Sequence, residues 1–191
     1  MNVMKSIVNI KENMKNHPIK KYAIHILAVT ALCDDAFDIP HNKCALILLT
    51  NRTNPYIDAL DLRKIVIDIL DVEDKNHPRA FTRTHANFII WFINNLPKEV
   101  TDIYVCCSKG GSRSPGCAAA LMLMSGRSDK DVWLNPFYTP NLLVFQLLCK
   151  EFGIFMPFLF VYIRLIKNNR AFHKAQKAKG ICPYERWQIL E

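Results

Sequence analysis

Short apolar runs alternate with turn-forming residues along the first third of the chain. Such runs cover residues 22–31, 44–50 and 64–70, and polar or proline-containing stretches separate them. Apolar runs of about four to eight residues between turn signals are typical of buried strands. We therefore expect three strands in this part of the chain.

The pattern then changes to helical spacing. Apolar residues recur at helical intervals over residues 82–95, and Leu96-Pro97 ends that helix. A fourth strand is predicted over residues 103–106. The alternation of strands and helices predicts a single α/β domain with a central, largely parallel sheet flanked by helices.

Two further helices follow the fourth strand. The first covers residues 116–125 and ends at Gly126, with Ser114 as its expected N-cap and Pro115 at its first position. The second covers residues 141–152 and ends at Gly153.

The length and composition fit one domain with two extensions. With 191 residues, of which 50% are hydrophobic, the chain is long enough for one sizeable core and too apolar to be wholly disordered. We expect a polar N-terminal extension over residues 1–21 and a main domain over residues 22–153. An apolar and then basic extension, residues 154–191, is expected to pack on that domain.

Most of the net charge of +8 lies at the C-terminal end, where seven basic and two acidic residues follow from Arg164 onward. A final helix that covers the core is the favoured interpretation of this segment. Binding of nucleic acid or anionic lipid through the basic residues is the alternative. The sequence does not indicate an oligomeric state.

The cysteines indicate a reducing compartment. Their number is seven, which is odd, and none forms a CxxC pair, so a disulfide framework or a zinc site is not indicated. We expect a cytoplasmic protein. Four of these cysteines lie in apolar segments and are expected in the core, namely Cys33, Cys44, Cys117 and Cys149.

The first apolar run has the basic-then-apolar order of a signal peptide, because Lys20 and Lys21 precede it. However, it begins twenty residues into the chain, and Leu32 precedes Cys33 where cleavage needs a small residue. We therefore predict a strand. No apolar run reaches the about 18 residues that a membrane helix needs.

The fourth strand leads into a segment with the features of an anion site. Cys107 ends the strand, Gly110 and Gly111 form a tight turn, and a helix follows. Loop N–H groups and a helix N-terminus stabilise an anion, and the same field lowers the pKa of a thiol. Arg113 can donate two parallel hydrogen bonds to a phosphate. An activated nucleophile and a phosphate site are therefore expected together.

The pattern Cys107-x-x-Gly110-x-x-Arg113-Ser114 resembles the signature loop of the cysteine-dependent protein tyrosine phosphatases. The segment Phe81-Thr82-x-x-His85-Ala86, followed by a helix and a strand, looks like the small bacterial dual-specificity-like phosphatases. Thr139-Pro140-Asn141 before the next helix matches a recurring element of that family. The resemblance covers about residues 22–153.

This resemblance implies hydrolysis of a phosphate monoester, such as a phosphotyrosine or dual-specificity protein substrate, without metal or other cofactor. Cys107 would be the nucleophile, Arg113 would hold the phosphate, and Ser114 would hydrogen-bond the sulfur. The general acid would be an aspartate from the acidic stretch before residue 80: Asp71 is preferred and Asp74 is the alternative. The phosphate-binding loop would comprise Ser108, Lys109, Gly110, Gly111, Ser112 and Arg113.

Two alternatives stay open. The family usually has histidine before the nucleophile, where this chain has Cys106, and a thiol is a poorer hydrogen-bond donor. This departure allows a catalytically weak phosphate-binding module. A sulfur-transfer protein of the rhodanese type also uses a loop cysteine, although Arg113-Ser114 and the upstream acidic stretch argue against it.

Cys106 could also pair with Cys107, but adjacent cysteines form a disulfide only with strain, so a buried thiol is expected.

Overall fold

The computed structural model describes residues 22–32, 42–50 and 62–179. The expected N-terminal extension, residues 1–21, lies outside the described residues. So do Cys33 and the last twelve residues of the chain, 180–191.

The centre of the fold is a four-stranded sheet in which all strands are parallel. Its strands are β1 (Ala23–Ala28), β2 (Cys44–Leu48), β3 (Arg63–Val66) and β4 (Asp102–Cys107), in the order β1-β4-β2-β3. All four predicted strands are present, including the first, which resembled a signal peptide. Three of them end earlier than predicted: β1 ends at Ala28, before a 3-10 helix over Thr30–Leu32, β2 ends at Leu48 and β3 ends at Val66. Beyond β3, Ile67 and Ile69 are still buried.

Five α-helices follow in the described part of the chain: α1 (Arg83–Asn94), α2 (Arg113–Met124), α3 (Lys130–Leu134), α4 (Leu142–Phe152) and α5 (Phe158–Lys179). The sequence predicted α1, α2 and α4, and it favoured a final helix in the C-terminal extension, where α5 lies. Gly126 and Gly153 follow α2 and α4 as predicted, both with positive φ. The fold is therefore a single α/β domain, with a sheet that is parallel throughout.

Alternate residues of the strands enter two separate clusters on the two faces of the sheet. The larger cluster contains Ile47, Val105 and Cys107 together with buried residues of all five α-helices. The smaller cluster contains Leu46, Cys106 and other residues from strands and loops. The described helices thus build their core on one face.

Helix α5 is one continuous helix of 22 residues, formed by both the apolar and the basic part of the predicted extension. Pro157 immediately precedes it, so the proline does not interrupt the helix. No helix in the described ranges combines the length and apolar character needed to cross a membrane.

An ion pair attaches α5 to the domain. Arg164 donates to Asp129 through Nε at 2.6 Å and through Nη2 at 3.0 Å, and Trp133 Nε1 donates to the same carboxylate at 2.9 Å. The Asp129 side chain is 8% exposed. One turn further on, the buried Asn168 donates to backbone carbonyls of residues 133, 135 and 138.

We expect Arg164→Ala to lower the free energy of unfolding by about 3 kcal/mol, because it leaves the buried Asp129 carboxylate without its cationic partner. Urea unfolding of the purified chain measures this change. Lys167→Ala, at an exposed position of the same helix, is the matched control and should change stability by less than about 0.5 kcal/mol. Equal effects of the two substitutions would contradict the role of the ion pair.

Candidate active site

Strand β4 places Cys107 at the carboxyl edge of the sheet, between β1 and β2. Val29 N donates to the carbonyl of Cys107 at 2.9 Å, and Leu49 N donates to that of Cys106 at 2.8 Å. Ligands of open parallel sheets bind at this edge. A cavity of about 400 Å³ opens there, lined by Thr50, Ile69, Leu70, Asp71, Cys107, Ser108, Lys109, Gly111, Ser112 and Arg113.

The two adjacent cysteines lie on opposite faces of the sheet. Cys107 belongs to the larger cluster and lines the cavity, whereas Cys106 is fully buried in the smaller cluster. Burial raises the pKa of the Cys106 thiol well above its usual range. Both thiols are free. Cys106 is therefore a core thiol, in agreement with the expectation, and it faces away from the cavity.

The cysteine loop, residues 108–112, depends on a glycine at position 110. Gly110 has a φ of +68°, in the left-handed region that favours glycine. A Cβ at this position would also lie 2.8 Å from the backbone nitrogen of Ala28. The loop can therefore pack against the end of β1 only with glycine here.

Helix α2 begins earlier than the sequence predicted. Its first residue is Arg113 and its N-cap is Ser112, so the predicted N-cap role of Ser114 is wrong. The Ser112 hydroxyl makes no capping bond and donates instead to Asp71 Oδ1 at 2.8 Å. Ser114 lies in the first turn, where its Oγ is 3.1 Å from Cys107 Sγ. The positive end of α2 therefore adjoins the cysteine.

Arg113 lines the cavity and is buried, with only 8% of the residue exposed. Its Nη1 donates to the carbonyls of Leu49 and Ile69, both at 2.8 Å, and its Nη2 donates to Ser108 Oγ at 3.1 Å. Its Nε is buried and has no partner among the described residues. Buried donors are almost always satisfied, so this nitrogen is an exception among the described residues.

The acidic loop, residues 71–79, brings one of its carboxylates to the cavity. Asp71 lines the cavity, and its Oδ1 accepts from Ser112 Oγ and, at 2.9 Å, from Asn141 Nδ2. Asp74, the alternative acid, accepts from the backbone nitrogen of Asn76 in an exposed turn and is not among the cavity-lining residues. Glu73 accepts from the backbone nitrogen of Leu142 at the start of α4.

Asn141 joins the acidic loop, the cysteine loop and α4. Its Oδ1 caps α4 by accepting from Val144 N at 3.0 Å, and its backbone nitrogen donates to the carbonyl of Ser112 at 3.1 Å. Thr139 N donates to the carbonyl of Gly111 at 2.7 Å. The sequence resemblance pointed to residues 139–141 without assigning them a role, and the structure shows that they hold both loops.

A second glycine permits this arrangement. A Cβ at Gly116 would lie 2.6 Å from the carbonyl oxygen of Asn141. The first turns of α2 can therefore approach Asn141 only because residue 116 is glycine.

The sequence analysis did not identify several residues that contact the site. Thr50 lines the cavity, and its Oγ1 lies 3.1 Å from Ser108 Oγ. The carbonyls of Leu49 and Ile69 hold Arg113. The two carbonyls have no sequence signal, since the position of a backbone carbonyl depends on the path of the chain and not on the type of its residue. Thr50 belongs to no motif that the sequence offers.

The other described cysteines and histidines have structural environments. Cys44, Cys117 and Cys149 are buried as expected, and burial raises the pKa of each, that of Cys149 to about 12. His85 Nδ1 accepts from Thr82 N in the capping box of α1, and burial lowers the pKa of His85. His25 Nε2 lies 2.7 Å from Asp102 Oδ1. These groups lie outside the cavity of Cys107.

Comparison with known proteins does not assign this chain to a family. No protein-family model matches the chain, and no curated protein matches its sequence at a significant level. The site residues themselves therefore carry the functional argument.

Proposed function

We propose that this protein is a cysteine-dependent phosphatase that hydrolyses phosphate monoesters, with phosphotyrosine or dual-specificity protein substrates as its class. One observation carries the proposal: Cys107, with Ser114 3.1 Å from its sulfur, shares a cavity with a buried arginine whose Nε lacks a partner. A nucleophile and an unsatisfied cationic donor in one cavity suit an anionic electrophile.

Binding of the phosphate dianion comes first. The N-terminus of α2 and the Arg113 guanidinium both favour negative charge at the cavity floor. Because the carbonyls of Leu49 and Ile69 fix Arg113 Nη1, the guanidinium is oriented before the substrate arrives. The exposed Lys109 at the cavity edge adds positive charge near the entrance.

In the first chemical step, the thiolate of Cys107 attacks phosphorus in line with the leaving oxygen. The S–P bond forms as the P–O bond breaks, and the proton of Asp71 goes to the departing alkoxide or phenoxide. Hydrogen bonds from Ser112 and Asn141 to the same oxygen hold the Asp71 side chain at the cavity.

In the second step, water hydrolyses the cysteinyl-phosphate. Asp71, now a carboxylate, accepts a proton from the attacking water, and the S–P bond breaks to release inorganic phosphate and the thiolate. The Ser114 hydroxyl, in contact with the sulfur, donates a hydrogen bond to the departing thiolate and so stabilises its charge.

We expect Cys107→Ser to reduce hydrolysis of an aryl phosphate by more than about a thousandfold while binding of tungstate, a phosphate analogue, is retained. Steady-state kinetics and calorimetry measure the two effects. Cys106→Ala is the control: its side chain faces the opposite side of the sheet, so activity should be kept. Full activity of Cys107→Ser would refute the proposal.

The same preparation separates the phosphatase from a phosphate-binding module. Rapid mixing of the wild type with an aryl phosphate should give a burst of the phenol and a trapped phosphocysteine at residue 107. Tungstate binding without turnover or phosphocysteine would instead support the binding module.

We expect Asp71→Asn to lower kcat on phenyl phosphate by about a hundredfold or more, because phenoxide leaves poorly without a proton. The loss should be smaller on p-nitrophenyl phosphate, whose leaving group needs less assistance. Asparagine can still accept the bonds from Ser112 and Asn141, so the loop geometry is preserved. Asp74→Asn is the matched control and should stay within about twofold of the wild type; the opposite ranking of the two variants would assign the acid to Asp74.

A further inference from the structure

The outward face of α5 changes character along its length. Near the start of the helix, the exposed side chains are large and apolar: Phe155 just before the helix is 88% exposed and Phe158 is 80% exposed, and Leu159, Tyr162 and Ile163 are exposed as well. We call these five residues the apolar end. Phe158 and Tyr162 stack with their ring centroids 6.3 Å apart. A contiguous group of large, exposed apolar side chains marks an interaction surface.

The later turns present basic side chains on the same face. Leu159, Ile163, Arg170, Lys174 and Lys177 are spaced by three, four or seven residues, so they lie along one side of the helix. The opposite side contains the buried Val161 and Asn168 and packs on the domain. The outward side is therefore available over residues 158–178, about 30 Å of the helix.

The charges of this helix have a single sign. Residues 158–179 include six lysines and arginines and no aspartate or glutamate. Arg164 is paired with Asp129, whereas Lys167, Arg170, Lys174 and Lys177 are exposed. A second copy of this face would offer these cations no opposite charge. The surface complements a partner that is both anionic and apolar.

We propose that α5 docks on an anionic lipid bilayer. The apolar end enters the boundary between head groups and acyl chains, and the basic turns lie on the anionic head groups. All five residues of the apolar end gain from contact with acyl chains, whereas only its three aromatic members can stack on nucleic-acid bases. The separation of apolar and basic residues along the axis also differs from a nucleic-acid groove, in which basic and aromatic groups are combined.

Sedimentation with vesicles tests this proposal and does not depend on catalysis. The purified chain should bind vesicles of phosphatidylcholine with about 30 mol% phosphatidylserine and should not bind phosphatidylcholine alone. Binding should weaken when salt is raised from about 0.1 M to about 0.5 M. No binding to the anionic vesicles would overturn the proposal.

Variants identify the surface. Phe155→Ser with Phe158→Ser, and separately Arg170→Glu with Lys174→Glu, should each weaken vesicle binding by about tenfold or more. The matched controls are Phe88→Ser, at an exposed apolar position of α1, and Lys43→Glu with Lys75→Glu at exposed positions elsewhere. These controls should bind as the wild type does.

Thermal unfolding establishes that each variant is folded, which the exposure of the substituted side chains leads us to expect. Three further results would overturn the proposal. One is vesicle binding that the apolar substitutions leave unchanged. The second is that vesicle binding persists after the apolar substitutions and that single-stranded RNA competes with it, which would indicate a nucleic-acid surface. The third is a dimer without vesicles that Phe155→Ser with Phe158→Ser dissociates, which would indicate a second copy.

Discussion

The candidate site depends on the hydrogen bonds of Asn141. Its amide reaches Asp71 in the acidic loop, its backbone nitrogen reaches Ser112 in the cysteine loop, and its side-chain oxygen caps α4. Each such bond contributes about 1 kcal/mol, and the bond to a carboxylate contributes more. Because one residue makes all three, the acidic loop and the nucleophile keep a fixed relation to each other. This arrangement also requires glycine at position 116, since a side chain there would displace Asn141.

Arg113 is a buried cation that the fold orients through uncharged acceptors. Burial of a guanidinium is costly unless its donors are satisfied. Here two backbone carbonyls and the Ser108 hydroxyl satisfy part of the group and fix its plane. These acceptors carry no net charge, so they orient the cation without neutralising it. The buried Nε and the positive charge together favour an anion in the cavity.

The sequence predicted the elements of the fold better than the contacts between them. Apolar runs, helical spacing and terminal proline or glycine residues identified all four strands and the helices α1, α2 and α4. The N-cap at Ser114 was predicted wrongly because local preference takes no account of distant partners: Ser114 contacts Cys107, and Ser112 bonds to Asp71. Likewise, Thr50 and the carbonyls that hold Arg113 come from the segments that follow β2 and β3. Only the parallel topology brings these groups to one edge.

Position 106 shows how the environment of a residue changes the meaning of a sequence pattern. The resemblance leads one to expect a histidine there that supports the cysteine loop through hydrogen bonds. In this chain the side chain of Cys106 faces the smaller cluster, away from the cavity, and burial keeps its pKa high. The loop is instead held by Thr139 and Asn141 on one side and by the close approach of Gly110 to β1 on the other. A thiol at position 106 is therefore compatible with an ordered loop, because the groups that order it lie elsewhere.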